Sequence, residues 1–292
     1  MSEPSEPLAR ALLRQVHAVA ERLPVPRVKR LHLPARAAAE CGAAQVAEFC
    51  ALELDDGAFG LSYLLLDGTW QGLRARLGDR HEAAPLAGAD PLRLAEGFAG
   101  ADAAARALGL AAINALTQSA WRRLDYEPPA AGNSGGGLAL SPTDHLGMIG
   151  GFNPLIEGVR LAGARLTVVE LDAGKVAALA ERHPWITATL ERGALAGCNK
   201  IVGTSTMLLN DSLEAMLAAC PRAREFALIG PSAGLWPDAL FARGVTHLAG
   251  TQIVDGPAFA QAMAQDGRWS HSARKYAIAR GGWPGWQALL GR

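Results

Sequence analysis

Between residues 146 and 264, short runs of apolar and β-branched residues alternate with stretches of helical spacing. This alternation constrains the fold more than any other feature. It predicts strands at 146–150, 165–170, 199–203, 225–229 and 246–249, and helices near 154–162, 174–182, 210–219, 237–243 and 257–264. Strand–helix repetition at this spacing implies a mostly parallel sheet, because parallel neighbours need a crossover and that crossover is right-handed. In such sheets ligands bind beyond the carboxyl ends of the strands, where the strand order reverses. The loops leaving those ends are where function is to be sought.

The first 126 residues follow a different grammar. Leu8, Leu12, Val16, Val19 and Leu23 share one helical face behind the start signals Ser5 and Pro7. Strand-like runs at 46–54 and 60–66 flank Asp55-Asp56-Gly57, whose glycine accepts the positive φ that a hairpin turn needs. Helical sequence follows at 91–99 and, dense in Ala and Gly, at 102–121, where another element can approach the backbone closely. Helix, hairpin and helices together describe an α+β front domain over 1–126. The segment 127–144, EPPAAGNSGGGLALSPTD, has no periodicity and is the expected boundary. It reads either as a linker or as a flap over a cleft between the halves. An α/β domain then fills 145–292.

Half of the 292 residues are apolar and 19% are charged, so a sizeable core can form. The 28 basic residues balance 28 acidic ones and form no run, which speaks against a nucleic-acid face. The acidic, polar start MSEPSEPLAR does not read as a secretory signal, and no run reaches the ~18 apolar residues of a membrane span. Cys41, Cys50, Cys198 and Cys220 show no CxxC spacing and read as buried thiols of a reducing compartment. The expectation is a cytoplasmic protein whose partner is a small molecule, with neither nucleic acid nor membrane involved. A homo-oligomer stays open.

Three loops carry the candidate site. In LGMIGGFNPLIEGV, Gly150 and Gly151 allow close backbone approach and leave N–H groups at a helix start, while Asn153 suits an N-cap and Pro154 a first helical position. Glu170, at the end of the next strand, stands where dinucleotide and adenosyl-cofactor sites grip ribose hydroxyls. The glycines fall at Gly147, Gly150 and Gly151, however, so the GxGxxG fingerprint is absent and a capped helix without nucleotide is an equal reading. In the second loop Gly203 ends a strand, Thr204, Ser205 and Thr206 supply hydroxyls, and Asn210 and Asp211 precede a helix with Glu214 spaced for a capping box. These short polar groups either recognise a ligand or only cap. In the third, Gly230, Pro231 and Ser232 leave a strand, and Trp236 is expected to pack the loop down.

Catalytic signals are thin. The seven histidines show no HxxxH or HEXXH spacing, no Ser sits in a GxSxG elbow, and no Cys–His pair can be inferred. His145 is expected at the wrong strand end for the pocket, whereas Asp255 is expected near a strand exit.

Taken together, IGGFNPLIEGVR…LTVVELD, IVGTSTMLLNDSLEAML and ALIGPSAGLWPDALFARGVTHLAGTQIVD resemble, in order and spacing, the putative heavy-metal chelation family, a bacterial and archaeal group. The front stretch ALGLAAINAL also resembles that family's first domain. The resemblance implies a front domain like the N-terminal domain of enolase, a Rossmann-like second domain with a mostly parallel sheet, and a cleft between them. It implies that Gly151, Pro154 and Glu170, then Gly203, Thr204, Ser205 and Asn210, then Gly230, Pro231 and Ser232 face that cleft. The chain departs from the family where Asp211-Ser212 replaces a usual Gly-Thr and Gly234 a common proline.

A soft metal needs thiolates or clustered imidazoles, and these loops offer hydroxyls, an amide and carboxylates. Glu170, Asp211 and Asp255 would suit a hard, oxygen-ligated ion, and an organic metal chelate would suit the polar loops. Two readings follow. One is a binding protein for a small polar ligand, including a metal or metal chelate, whose anionic groups the loop N–H groups would take. The other is an enzyme with an adenosyl or nicotinamide cofactor on Glu170.

Overall fold

The computed structural model describes residues 6–34, 48–64, 66, 68–77, 86–132, 135–265 and 267–291. The front residues build helix α1 (Leu8–Ala20) and an antiparallel sheet of β1 (Val28–His32), β2 (Phe49–Leu54) and β3 (Phe59–Tyr63), in that order. The β2–β3 turn closes at Gly57, φ 79°, and Asp56 accepts a hydrogen bond from the Ala58 amide at 3.1 Å. Helices α2 (Thr69–Leu77), α3 (Pro91–Ala95) and α4 (Ala103–Arg123) follow. The expected strand at 46–54 begins at Phe49, with 46 and 47 outside the described residues, and β1 is an additional strand.

Helix α4 starts where the Asp102 carboxylate accepts the Ala105 amide at 2.7 Å. It is buried on nearly every side, as a helix with no polar stripe must be. Its small residues let β3 press against its backbone: a Cβ on Gly60 would stand 2.0 Å from the Ala111 carbonyl oxygen. The core around α4 is continuous. It takes in Leu52 and Leu54 from the front sheet, Leu110 and Ile113 from α4, and Phe226, Leu228 and Leu248 from the larger sheet. Trp121 at its end meets Trp236 at 5.8 Å and Tyr276 at 5.6 Å, edge to face, so Trp236 packs the third loop down.

The larger sheet contains β4 (His145–Ile149), β5 (Arg165–Val169), β6 (Thr187–Thr189), β7 (Lys200–Thr204), β8 (Glu225–Ile229), β9 (His247–Ile253) and β10 (Ala273–Ala279). Its order is β10-β9-β8-β7-β4-β5-β6, parallel throughout except for the β9–β10 pair. The fold is therefore mixed α/β with a mostly parallel seven-stranded sheet. Helices α5 (Asn153–Leu161) and α6 (Ala173–Arg182) cover one face through Ile156, Val159 and Leu179 on Met148, Val168 and Val202. Helices α7 (Leu213–Ala218) and α8 (Asp238–Phe241) join the core of the opposite face with α4. Helices α9 (Gly256–Ala264) and α10 (Trp286–Leu290) complete the chain.

β6 and β10 are not among the expected strands, and the helix expected at 210–219 shortens to α7. Among the described residues, no helix is long and apolar enough to cross a membrane. Between β4 and β7 the strand order reverses, and the crevice there opens toward the front sheet.

Candidate functional site

Beyond the carboxyl ends of β4 and β7 lies a cleft of about 430 Å³. Its walls come from the β4, β5, β7 and β8 exits and, from the front sheet, Glu48, Phe49, Tyr63 and Leu66. Each exit loop has its own local cause. At the first, Gly150 has φ 83°, and a Cβ there would come within 3.3 Å of the Thr204 methyl group. The chain thus turns over the neighbouring strand with no side chain in the way. Helix α5 begins at Asn153 with Phe152 in the N-cap position and no side-chain cap, so the expected Asn153 cap is not formed. Pro154, at a first-turn position, supplies the fixed φ and needs no hydrogen-bond partner.

Glu170 changes the meaning of this loop. Its Oε1 accepts the Gly151 amide at 2.5 Å. The N–H that an incoming anion would have used is already satisfied by the protein's own carboxylate. Among the described residues the wall also holds Glu48 and Asp172 against one lysine, Lys175, so acidic groups there outnumber basic ones. Burial raises the Tyr63 phenol above its ordinary value, and the charges of Glu48 and Glu170 push it the same way.

The second loop is a short 3₁₀ turn, Ser205–Leu208, in which Thr204 Oγ1 lies 2.8 Å from Thr206 Oγ1. Asn210 Oδ1 accepts both the Ser212 amide at 3.2 Å and its hydroxyl at 2.7 Å. The expected capping box does not form. Ser212 occupies the N-cap position without a side-chain cap, and Asp211 sits at φ 53° facing away. Arg106 of α4 holds it there: Nη2 donates to Asp211 Oδ1 at 2.6 Å and to Leu208 O at 3.2 Å, while Nε donates to Leu209 O at 2.9 Å.

In the third loop Gly230 has φ 136°, and a Cβ there would stand 2.4 Å from Ser205 Oγ, so two exits meet backbone to hydroxyl. Ser232 is fully buried, and its Oγ accepts the Tyr63 amide at 3.0 Å. Asn114 Nδ2 donates to Leu61 O at 2.7 Å and to Ser232 O at 2.9 Å. These bonds tie the front sheet to the rim of the larger one and set the cleft's width.

Of the residues proposed from sequence, Gly150, Gly151, Glu170, Thr204, Ser205, Asn210, Gly230 and Pro231 line the cleft. Asn153, Pro154, Gly203, Asp211 and Ser232 stand outside its wall. Asp255 caps α9 by accepting the Ala258 amide at 3.0 Å. His145 lies at the amino end of β4, bonded to Thr167 at 2.8 Å. Sequence reasoning missed the front-sheet wall of Glu48, Phe49, Tyr63 and Leu66. The alternation of β3 gave a signal for Tyr63 only once its pairing partner was known.

Glu170, Asp211 and Asp255 do not converge, and no group of three His, Cys, Asp or Glu among the described residues could hold a metal ion. Cys50, Cys198 and Cys220 are free and buried, and burial pushes their thiols up to about 12, about 11 and about 12. Soft ions bind thiolates, so these sulfurs do not fit as ligands in this arrangement. Cys41 and His81 lie outside the described residues.

Two family models, both described as putative heavy-metal chelation, match residues 45–117 and 137–280. The chain belongs to this family. Among the family's solved structures, a protein of unknown function from Pyrococcus horikoshii is 18% identical with a TM-score of 0.64. Another, from Desulfitobacterium hafniense, is 16% identical with a TM-score of 0.66. Each comparison covers 93% of this chain and 99% of the other, and at this identity it is the fold that is shared. An uncharacterized protein of Methanocaldococcus jannaschii is 25% identical over 166 residues, 56% of this chain and 60% of that relative's length.

Proposed function

We propose that the chain binds a small, polar ligand of neutral or positive charge in the cleft at the strand-order reversal. The observation that carries this reading is the Glu170–Gly151 bond. It satisfies the loop amide and leaves a carboxylate facing a wall that also contains Glu48 and Asp172. An anion would meet net negative charge there, which reverses the anion-binding expectation drawn from the glycines. Thr204, Ser205, Thr206 and Asn210 would orient the ligand's polar groups, with Phe49 and Tyr63 against its less polar side. The family's description points to a metal. Since the described donors do not fit a bare soft ion, the metal would enter inside a neutral or cationic organic chelate that the cleft recognises as a whole.

The same reading takes residues 145–292 as a Rossmann-like domain, supported by the β6-β5-β4-β7-β8-β9 order. It takes 1–126 as an enolase N-terminal-like unit, 127–144 as the boundary, and the cytoplasm as the site of action. A second reading, an enzyme with an adenosyl cofactor, is favoured by Glu170 at the carboxyl end of β5, where ribose hydroxyls are gripped. A nicotinamide dinucleotide suits the cleft less, because its pyrophosphate would need the amide that Glu170 occupies.

Thermal shift separates these readings, since a ligand that binds only the native state raises the melting temperature with concentration. Tris(ethylenediamine)cobalt(III), a cationic chelate, should raise it and iron(III) citrate should not, and Glu170→Gln should shrink the difference. Stabilisation by citrate equal to that by the cationic complex would end the charge argument. A rise with S-adenosylmethionine alone would select the enzymatic reading.

A further inference from the structure

A second cavity, of about 290 Å³, shares Phe152, Gly230 and Pro231 with the cleft but opens over β8, β9 and β10. Its floor is the sheet face carrying Ile229, Ala249, Thr251, Ala273 and Lys275, where Lys275 pairs across the strands with Thr251. Its roof is the chain at Ala131 and Gly136. That roof is fixed: the Ala131 amide donates to the Lys275 carbonyl at 3.1 Å, and the Ala277 amide to the Pro129 carbonyl at 2.9 Å. Gly136, φ 70°, lies so close to the sheet that a Cβ would come 2.7 Å from the Ile229 side chain. The Gly-rich segment thus bounds this cavity, and none of its described residues lines the cleft.

One wall is Trp269, whose ring is held edge-on by Phe259 at 5.5 Å and Phe49 at 6.2 Å. An aromatic plane fixed in this way recognises a flat partner with little ordering cost. The single charged lining residue among those described is Lys275. The lining is otherwise apolar or small, and the volume is at the low end of the range for small-molecule pockets.

We infer that this cavity is a second binding site, for a flat apolar carboxylate of one or two rings, with Lys275 pairing the carboxylate and Trp269 flanking the ring. It has the opposite charge preference to the cleft, so the two compartments take different ligands.

Calorimetric titration of the full chain with 2-naphthoate and its neutral analogue 2-naphthamide tests this. The wild type should bind 2-naphthoate saturably. Lys275→Met, an exposed and structurally mild change, should weaken 2-naphthoate roughly fivefold, as expected of a partly exposed ion pair, and leave 2-naphthamide unchanged. Thr251→Trp should fill the floor and abolish both, with circular dichroism confirming its fold. Glu170→Gln should bind 2-naphthoate like the wild type, which keeps this site distinct from the cleft. No saturable heat up to about 10 mM, or equal binding by the wild type and Lys275→Met, would overturn the assignment.

Discussion

Asp211 and Glu170 were both legible as acidic residues at strand exits, yet their roles were set by partners far away in sequence. Asp211 read locally as a helix cap, whereas Arg106, 105 positions earlier, draws it into φ 53° and out of the cleft wall. Glu170 read as a group awaiting a ribose, whereas it bonds Gly151 across the neighbouring strand exit. Local spacing finds which residues reach a rim; it cannot say which of them the protein has already used. Arg106 is the sharper test. Its guanidinium is buried and satisfies the Leu208 and Leu209 carbonyls, while Asp211 is 72% exposed on its side chain, so the ion pair itself contributes little. Arg106→Met should therefore cost about 2–4 kcal/mol, mostly from orphaned carbonyls. Urea unfolding measures this, and Asp211→Asn should cost far less. Equal losses for the two variants would assign the effect to the ion pair instead.

At the scale of elements, the strands among the described residues that the sequence did not announce are edge strands. β1 borders the small sheet, and β6 and β10 border the large one. Edge strands bury less and tolerate charge, so the apolar signature fades: β1 is VKRLH, β6 only TAT, and β10 ARKYAIA. β3 is also an edge but was found, because the Asp-Asp-Gly turn announces its partner. The interior parallel strands β4, β5, β7 and β8, buried on both faces over most of their length, and the half-buried β9 matched within a residue or two at their starts. Close packing of α4 on the small sheet was legible as Ala and Gly content but not as a particular contact. The contact is at Gly60. Gly60→Ala puts a methyl group against the Ala111 carbonyl and the Ala115 amide, at 2.0 and 2.2 Å, and neither is a flexible side-chain end. The helix must shift, at a cost of about 3 kcal/mol. An unfolding free energy from urea titration within about 0.5 kcal/mol of the wild type would mean that α4 and β3 do not approach so closely.

For the whole molecule, the decisive feature is that the front half and the larger half share buried contacts at two separate places. Ser232 and Asn114 join β3 to the loop after β8; at the other, His32 of β1, 5.7 Å from Phe59 of the same sheet, meets Phe259 of α9 at 6.2 Å. His32 is buried and lies 2.8 Å from Glu53, which also takes Lys29 at 2.7 Å. Burial holds His32 below 6.5, outweighing the pull of Glu53. Burial also works to raise Glu53, but the hydrogen bonds from Lys29 and His32 prevail and hold it below 4.5. The unfolded chain therefore takes up a proton near pH 6.5 that the folded junction refuses. Stability from His32 is fully present above that pH and is lost as pH falls toward the folded value. The Glu53 share is lost below about pH 4.5. His145 and His247, lowered by burial at the amino ends of their strands, act with the same sign. The melting temperature should thus fall between about pH 7 and 5, and His32→Gln should fall less steeply over that window while the histidines of the larger sheet keep their share. Parallel curves for the wild type and His32→Gln would mean that the junction between the sheets is indifferent to that proton.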